Sequence, residues 1–76
     1  MSILFFPPKT LEKMKNERIT EADINDVFKN GEHGVTPNSK VVVRKYNGYE
    51  IGCFYAPTTK VSFDYIVTAV WKRERR

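Results

Sequence analysis

The chain has 76 residues, 13 Lys/Arg against 9 Asp/Glu, and a formal net charge of +4. Its single cysteine, Cys53, excludes an internal disulfide and any multi-cysteine zinc site, and no segment approaches the ~20 apolar residues of a membrane helix. Five Phe, four Tyr and one Trp exclude a disordered polar chain and suit one small domain, residues 1–76, whose core gains apolar burial from large rings.

Ile3 to Phe6 is an apolar run stopped by Pro7-Pro8, as in a short first strand or a strap on the core. It lacks the basic start and cleavage site of a signal peptide, so the chain is expected in the cytoplasm. A helix can begin at Pro8, because proline in the first turn gives up only an amide that lacks a partner there. Leu11 and Met14 mark its expected buried side, and it should end near Arg18.

The second helix is better signalled. Thr20 can cap it, Glu21 and Asp23 place negative charge at its start, and Ile24, Val27 and Phe28 recur at helical spacing. Gly31 is expected to stop it in a left-handed conformation. Gly31-Glu32-His33-Gly34 then reads as a turn.

Beyond Pro37 the period changes to that of strands. Val41 to Tyr46 and Tyr49 to Tyr55 flank Asn47-Gly48, a two-residue hairpin signal that predicts a type I′ turn. That turn would pair Tyr46 with Tyr49, Lys45 with Glu50 and Arg44 with Ile51. Val42, Arg44, Tyr46, Tyr49, Ile51, Cys53 and Tyr55 then share one face, and Val41, Val43, Lys45, Glu50, Gly52 and Phe54 share the other. Ala56 to Thr59 is a further turn, and Lys60 to Trp71 predicts a long third strand with Thr68 and Lys72 on one face and Val67, Ala69 and Trp71 on the other. Residues 73–76 read as a basic tail. The expected architecture is α+β: two N-terminal helices packed on a three- to four-stranded antiparallel sheet, with the uncovered face tolerably polar.

Charge is placed rather than diffuse. Residues 1–40 carry six cations and six carboxylates, whereas residues 41–76 carry seven against three, so the whole excess lies in the sheet-forming half. A basic sheet surface suits a polyanion.

The segment Lys13-Met14-Lys15-Asn16-Glu17-Arg18-Ile19-Thr20-Glu21-Ala22-Asp23-Ile24, followed by Val27-Phe28-Lys29-Asn30-Gly31-Glu32 and later by Ile66-Val67-Thr68-Ala69-Val70-Trp71, resembles small RelE-like, toxin-related proteins. In words, their pattern is a basic helix with methionine, an Arg-Gly-Ile-Thr junction, an acidic helix ending in Asn-Gly, and a last strand reading Ile-Val-Thr before an aromatic. The order of elements matches nearly the whole chain. Two positions depart from the pattern: Lys9 stands where the first helix usually has histidine, and the junction glycine is missing because Arg18 meets Ile19 directly. The resemblance implies kinship with the barnase, EndoU, colicin and RelE group of ribonucleases. It also implies RNA as substrate and an acidic cognate antitoxin or immunity protein as partner.

Metal-free RNA cleavage needs a proton acceptor, cations for charge building on phosphate, and a donor to the leaving oxygen. The catalytic candidates are His33 and Lys9 for proton transfer, Arg44, Thr68 and Lys72 for phosphate, and Tyr46 as a proton donor or stacking ring. Lys13, Tyr49, Tyr55, Trp71 and Arg73 are candidates for holding RNA, the rings by stacking on bases. Each has a plainer role as well: His33 as a bystander in a turn, the tyrosines as core rings with wet hydroxyls, Trp71 as core, and the lysines as solvated charges. No phosphate loop, nucleophile elbow, metal or cofactor motif is present, and Cys53 reads as a small buried residue. The competing function is a non-enzymatic module of the same shape, a phage or plasmid inhibitor that binds nucleic acid or protein.

Overall fold

A computed structural model describes residues 3–74. The elements are β1 (Leu4–Phe5), α1 (Pro8–Asn16), α2 (Glu21–Asn30), β2 (Glu32–Val35), β3 (Lys40–Tyr46), β4 (Tyr49–Pro57) and β5 (Tyr65–Glu74). The class is α+β, and the sheet has five strands in the order β1-β5-β4-β3-β2. Only β1 runs parallel to its neighbour, so the sheet is mixed and larger than the expected three or four antiparallel strands. The edge strand β1 lies within the apolar run Ile3–Phe6 expected as a short strand or strap, whereas the other edge, β2, lies where a turn was expected, its four residues too few for a two-residue period to stand out in the sequence.

Because β1 and β2 are opposite edges, the chain between them must cross the sheet, and the two helices make that crossing. α1 packs on β5, and α2 packs on β3 and β4. At nine and ten residues these helices are too short to hold alone in water, so their buried sides stabilise them. Met14, Ile19, Ile24 and Val27 meet Val42, Ile51, Cys53, Tyr55, Val67 and Val70 in one core. On α1 the expected Leu11 is 41% exposed, and Thr10 is buried instead, its hydroxyl donating to the Val67 carbonyl at 2.8 Å.

α1 closes without glycine. Ile19 N–H donates to Met14 C=O at 2.8 Å and Arg18 N–H to Lys15 C=O at 3.2 Å, with Arg18 itself left-handed at φ 58°. This is a Schellman closure, with Ile19 and Met14 making its hydrophobic contact in the core. α2 opens on a full capping box, Thr20 and Asp23 exchanging side-chain and backbone hydrogen bonds of 2.9 and 3.0 Å. Gly31 ends it in extended backbone (φ −82°), not left-handed. Glycine is needed there for space: a Cβ would sit 2.5 Å from the Val27 carbonyl oxygen and 2.7 Å from that of Val43.

The central hairpin has the predicted register throughout, from Tyr46↔Tyr49 to Lys40↔Tyr55. In its turn only Gly48 is left-handed (φ 90°), where a type I′ turn would need positive φ at Asn47 as well. β5 differs more. Residues 60–64 form a loop and the strand runs on to Glu74, so Arg73 and Glu74 of the expected tail belong to the sheet; the tail's last two residues lie outside the described range. Phe54 pairs with Ala69 but Tyr55 with Val67, leaving Thr68 as the extra residue of a bulge. The bulge reverses the facing of everything after it. Val70 and Lys72 therefore join Val67 on the helix side, while Ala69, Trp71 and Arg73 face away.

Candidate functional site

Register sorts the expected site residues between two faces. Arg44, Tyr46, Tyr49 and Tyr55 do share a side, but it is the side that carries the helices. Arg44 pairs with the Asp26 carboxylate of α2, which also accepts from the Tyr46 hydroxyl at 2.6 Å. These donors, with the amide of Asn30, hold the Asp26 carboxyl below its usual range. Desolvation, followed by the hydrogen bond to Asp26, pushes the Tyr46 phenol from 10.0 to about 12. The Tyr46 and Tyr49 rings stack at 4.9 Å, with the Arg44 guanidinium 5.0 Å from one centroid and the Lys72 ammonium 5.0 Å from the other. This stack of cation, two rings and cation braces the hairpin end against α2, and most of it is committed within the protein.

The remaining expected proton carriers and phosphate ligands are scattered. Lys9 is exposed on α1, and Lys13 pairs with Glu17 at 3.0 Å along the same helix. Thr68 turns its hydroxyl to the Phe54 carbonyl at 3.3 Å. His33 lies in β2, not in a turn, and pairs with Val42 on the helix side. Its Nε2 is 2.8 Å from the Phe28 carbonyl oxygen and its Nδ1 2.6 Å from the Tyr55 hydroxyl. A carbonyl can only accept, so Nε2 carries the proton and Nδ1 accepts from Tyr55. Burial, with Tyr65 and Cys53 nearby, raises the Tyr55 phenol, which keeps that hydroxyl a donor.

The other sheet face has no helix over it, and it is not polar. Three rows cross it: Gly34–Val41–Phe54–Ala69, Glu32–Val43–Gly52–Trp71, and Phe5–Ile66–Ala56. Phe54 and Trp71 lie 5.3 Å apart at 41°, and the indole rests on Gly52, where a Cβ would come within 2.2 Å of it. Glycine inside a strand is thus the seat of the ring. Phe5 packs edge-on against Phe63 at 5.1 Å under the Lys60 ammonium, 4.7 Å from its centroid. At the opposite end Lys45, Glu50 and Arg73 form a fourth row. None of Phe5, Phe54, Ile66 or Trp71 packs on the core cluster.

Trp71 and Arg73 are therefore the sequence-derived candidates on the free face, and Phe5, Phe54, Lys45 and Lys60 are the ones sequence reasoning passed over. Gly52 was the available signal. Among the described residues no group of three side chains is arranged to hold a metal ion, and no helix is long and apolar enough to cross a membrane. Comparisons with protein-family models, curated proteins and solved structures find no match to this chain.

Proposed function

We propose that this chain is a nucleic-acid-binding module whose uncovered sheet face holds a single strand, bases stacked on Phe54 and Trp71 and phosphates near Lys45, Arg73 and Lys60. The observation that carries it is an aromatic pair on an open sheet face with cations at both ends, Lys60 beside Phe5 and Lys45 with Arg73 beyond Trp71. Aromatic faces accept any base, and flanking cations follow the backbone. The net charge of +4 supplies attraction at a distance.

RNA cleavage, the activity implied by the RelE-like resemblance, draws less support from the geometry. His33, Arg44, Tyr46 and Lys72 lie on the helix side, apart from Trp71, and Arg44 and Tyr46 are bound to Asp26. Binding without cleavage is the reading these positions favour.

Trp71 provides the test. Titration of the protein with a single-stranded oligonucleotide should quench indole fluorescence, with duplex of the same sequence binding more weakly. Phe54→Ala should weaken binding by about fivefold to 150-fold, since a base–ring stack contributes ~1–3 kcal/mol. An unquenched indole at low salt, or full affinity in Phe54→Ala, overturns the proposal. Fragments accumulating on incubation with RNA would restore the cleavage reading.

A further inference from the structure

On the helix side of the sheet, between α2 and β2, lies a cleft of about 400 Å3 lined by Phe28, His33, Val35, Lys40, Tyr55 and Tyr65. Small-molecule sites usually fall at about 300–1,000 Å3, with apolar walls and a few polar groups; this cleft has that size and lining and is a shallow groove open to solvent. Its floor is a set of rings meeting edge to face: Phe28 to Tyr55 at 4.9 Å, Tyr55 to Tyr65 at 5.2 Å, and His33 to Phe28 at 5.1 Å.

Two features mark the mouth. Val35 is 82% exposed, an apolar side chain standing at the rim of an aromatic cleft. Lys40 forms no ion pair among the described residues and holds its ammonium 5.8 Å from the Tyr65 ring centroid. His33 is fixed from both ends by Phe28 and Tyr55, so its ring is a positioned wall rather than a mobile one.

We propose that this cleft is a second site, which takes one nucleotide: a planar base against the Tyr65 and Phe28 rings, under the Val35 methyls, with its phosphate at Lys40. The site lies across the sheet from Trp71 and is independent of the open-face reading. Ring chemistry selects a flat heterocycle, and Lys40, the one cation of the lining and without a carboxylate partner among the described residues, selects an anionic substituent. A free mononucleotide and the phosphorylated end of a strand present the same chemistry.

The experiment is a heteronuclear NMR titration of the full chain with AMP, adenosine, inorganic phosphate, and an oligonucleotide with and without a 5′-phosphate. AMP should shift the His33 ring, Val35 methyl and Tyr65 ring signals together, with adenosine and phosphate each at least about tenfold weaker. Lys40→Ala, and separately Val35→Glu at the exposed rim, should weaken AMP about tenfold while oligonucleotide quenching of Trp71 persists. Cleft shifts from the phosphorylated oligonucleotide alone identify a strand end as the ligand, and shifts from AMP identify the free nucleotide. Unmoved signals with every probe at millimolar concentration, or adenosine binding as tightly as AMP, overturn the proposal. Loss of Trp71 quenching leaves these cleft signals as an independent readout, so the two proposals fail separately.

Discussion

Asp26 shows how one side chain can commit several groups that a sequence presents as free. It draws in Arg44 and Tyr46 from β3 and Asn30 from its own helix, and the two titrating partners shift in opposite directions. Asp26 is held low, so its contribution is present above the usual carboxylate range and is lost as pH falls through the depressed value. Tyr46 is raised, so the folded chain keeps a proton that the unfolded chain releases. Its contribution is complete below 10.0 and disappears as pH climbs from 10.0 to about 12. Alkaline titration by tyrosinate absorbance should show delayed ionisation of Tyr46 and Tyr55, and Tyr46→Phe should remove the Tyr46 share of that late step while leaving the Tyr55 share. Cys53 follows the same physics: burial alone pushes its thiol up to about 12. It belongs to the core, as its lack of spaced partners in the sequence implied.

At the scale of elements, the junction of the two helices carries a conformational cost that the fold tolerates. Arg18 occupies the left-handed position that closes α1, where helices most often place glycine. A residue with a Cβ is strained there by roughly 1 kcal/mol. Arg18→Gly should therefore raise stability by about 0.5–1 kcal/mol, read as a shift of the urea midpoint with unchanged slope. Gly31 predicts the opposite outcome. An added methyl meets the Val27 and Val43 carbonyl oxygens, both backbone, and neither can turn aside. Gly31→Ala should cost about 1–3 kcal/mol, of the order seen when a packed site is overfilled. The bulge at Thr68 is the element with the widest effect. Without it Trp71 would lie with Val67 under the helices, and Lys72 would face out.

At the scale of the whole molecule, the helix pair leaves one side of a five-stranded sheet uncovered, and the aromatic surplus of the composition appears there. Tyr46, Tyr49, Tyr55 and Tyr65 complete the core or its margin; Phe5, Phe54 and Trp71 do not. Phe5, Phe54, Ile66 and Trp71 are half-buried on a face that no helix covers, and it is this apolar patch that supports the proposed binding surface. Lys45 with Arg73 and, at the other end, Lys60 flank it, and two carboxylates share the face, Glu50 between Lys45 and Arg73 and Glu32 at the β2 edge. Salt should therefore weaken oligonucleotide binding, with a log–log slope near −0.7 per phosphate neutralised. Replacing Lys45 and Arg73 together, each by alanine, should flatten that slope by about 1.4, the share of two phosphates. A slope unchanged in the double variant would place the phosphates elsewhere.

Local signals in the chain determined the hairpin and its register, the capped second helix, the start of the first, and the concentration of charge in the sheet-forming half. Each structural signal depends on residues within a few positions of one another: Asn47 with Gly48, Thr20 with Asp23, Pro7 with Pro8. Which sheet side the helices cover was left to tertiary structure, because a hairpin's two faces alternate identically whichever one is buried. The valines, tyrosines and Phe54 fill both. A single unpaired residue, Thr68, decided the placement of Trp71 and Lys72, since in a period of two one insertion exchanges the sides. Asp26 and Arg44 lie 18 residues apart and meet only when α2 is laid on the strands, whereas His33 and Tyr55, 22 apart, meet only when β2 and β4 are both paired to β3. Short-range chemistry wrote the elements, and the packing of helices on one side chose which residues remain open to a ligand.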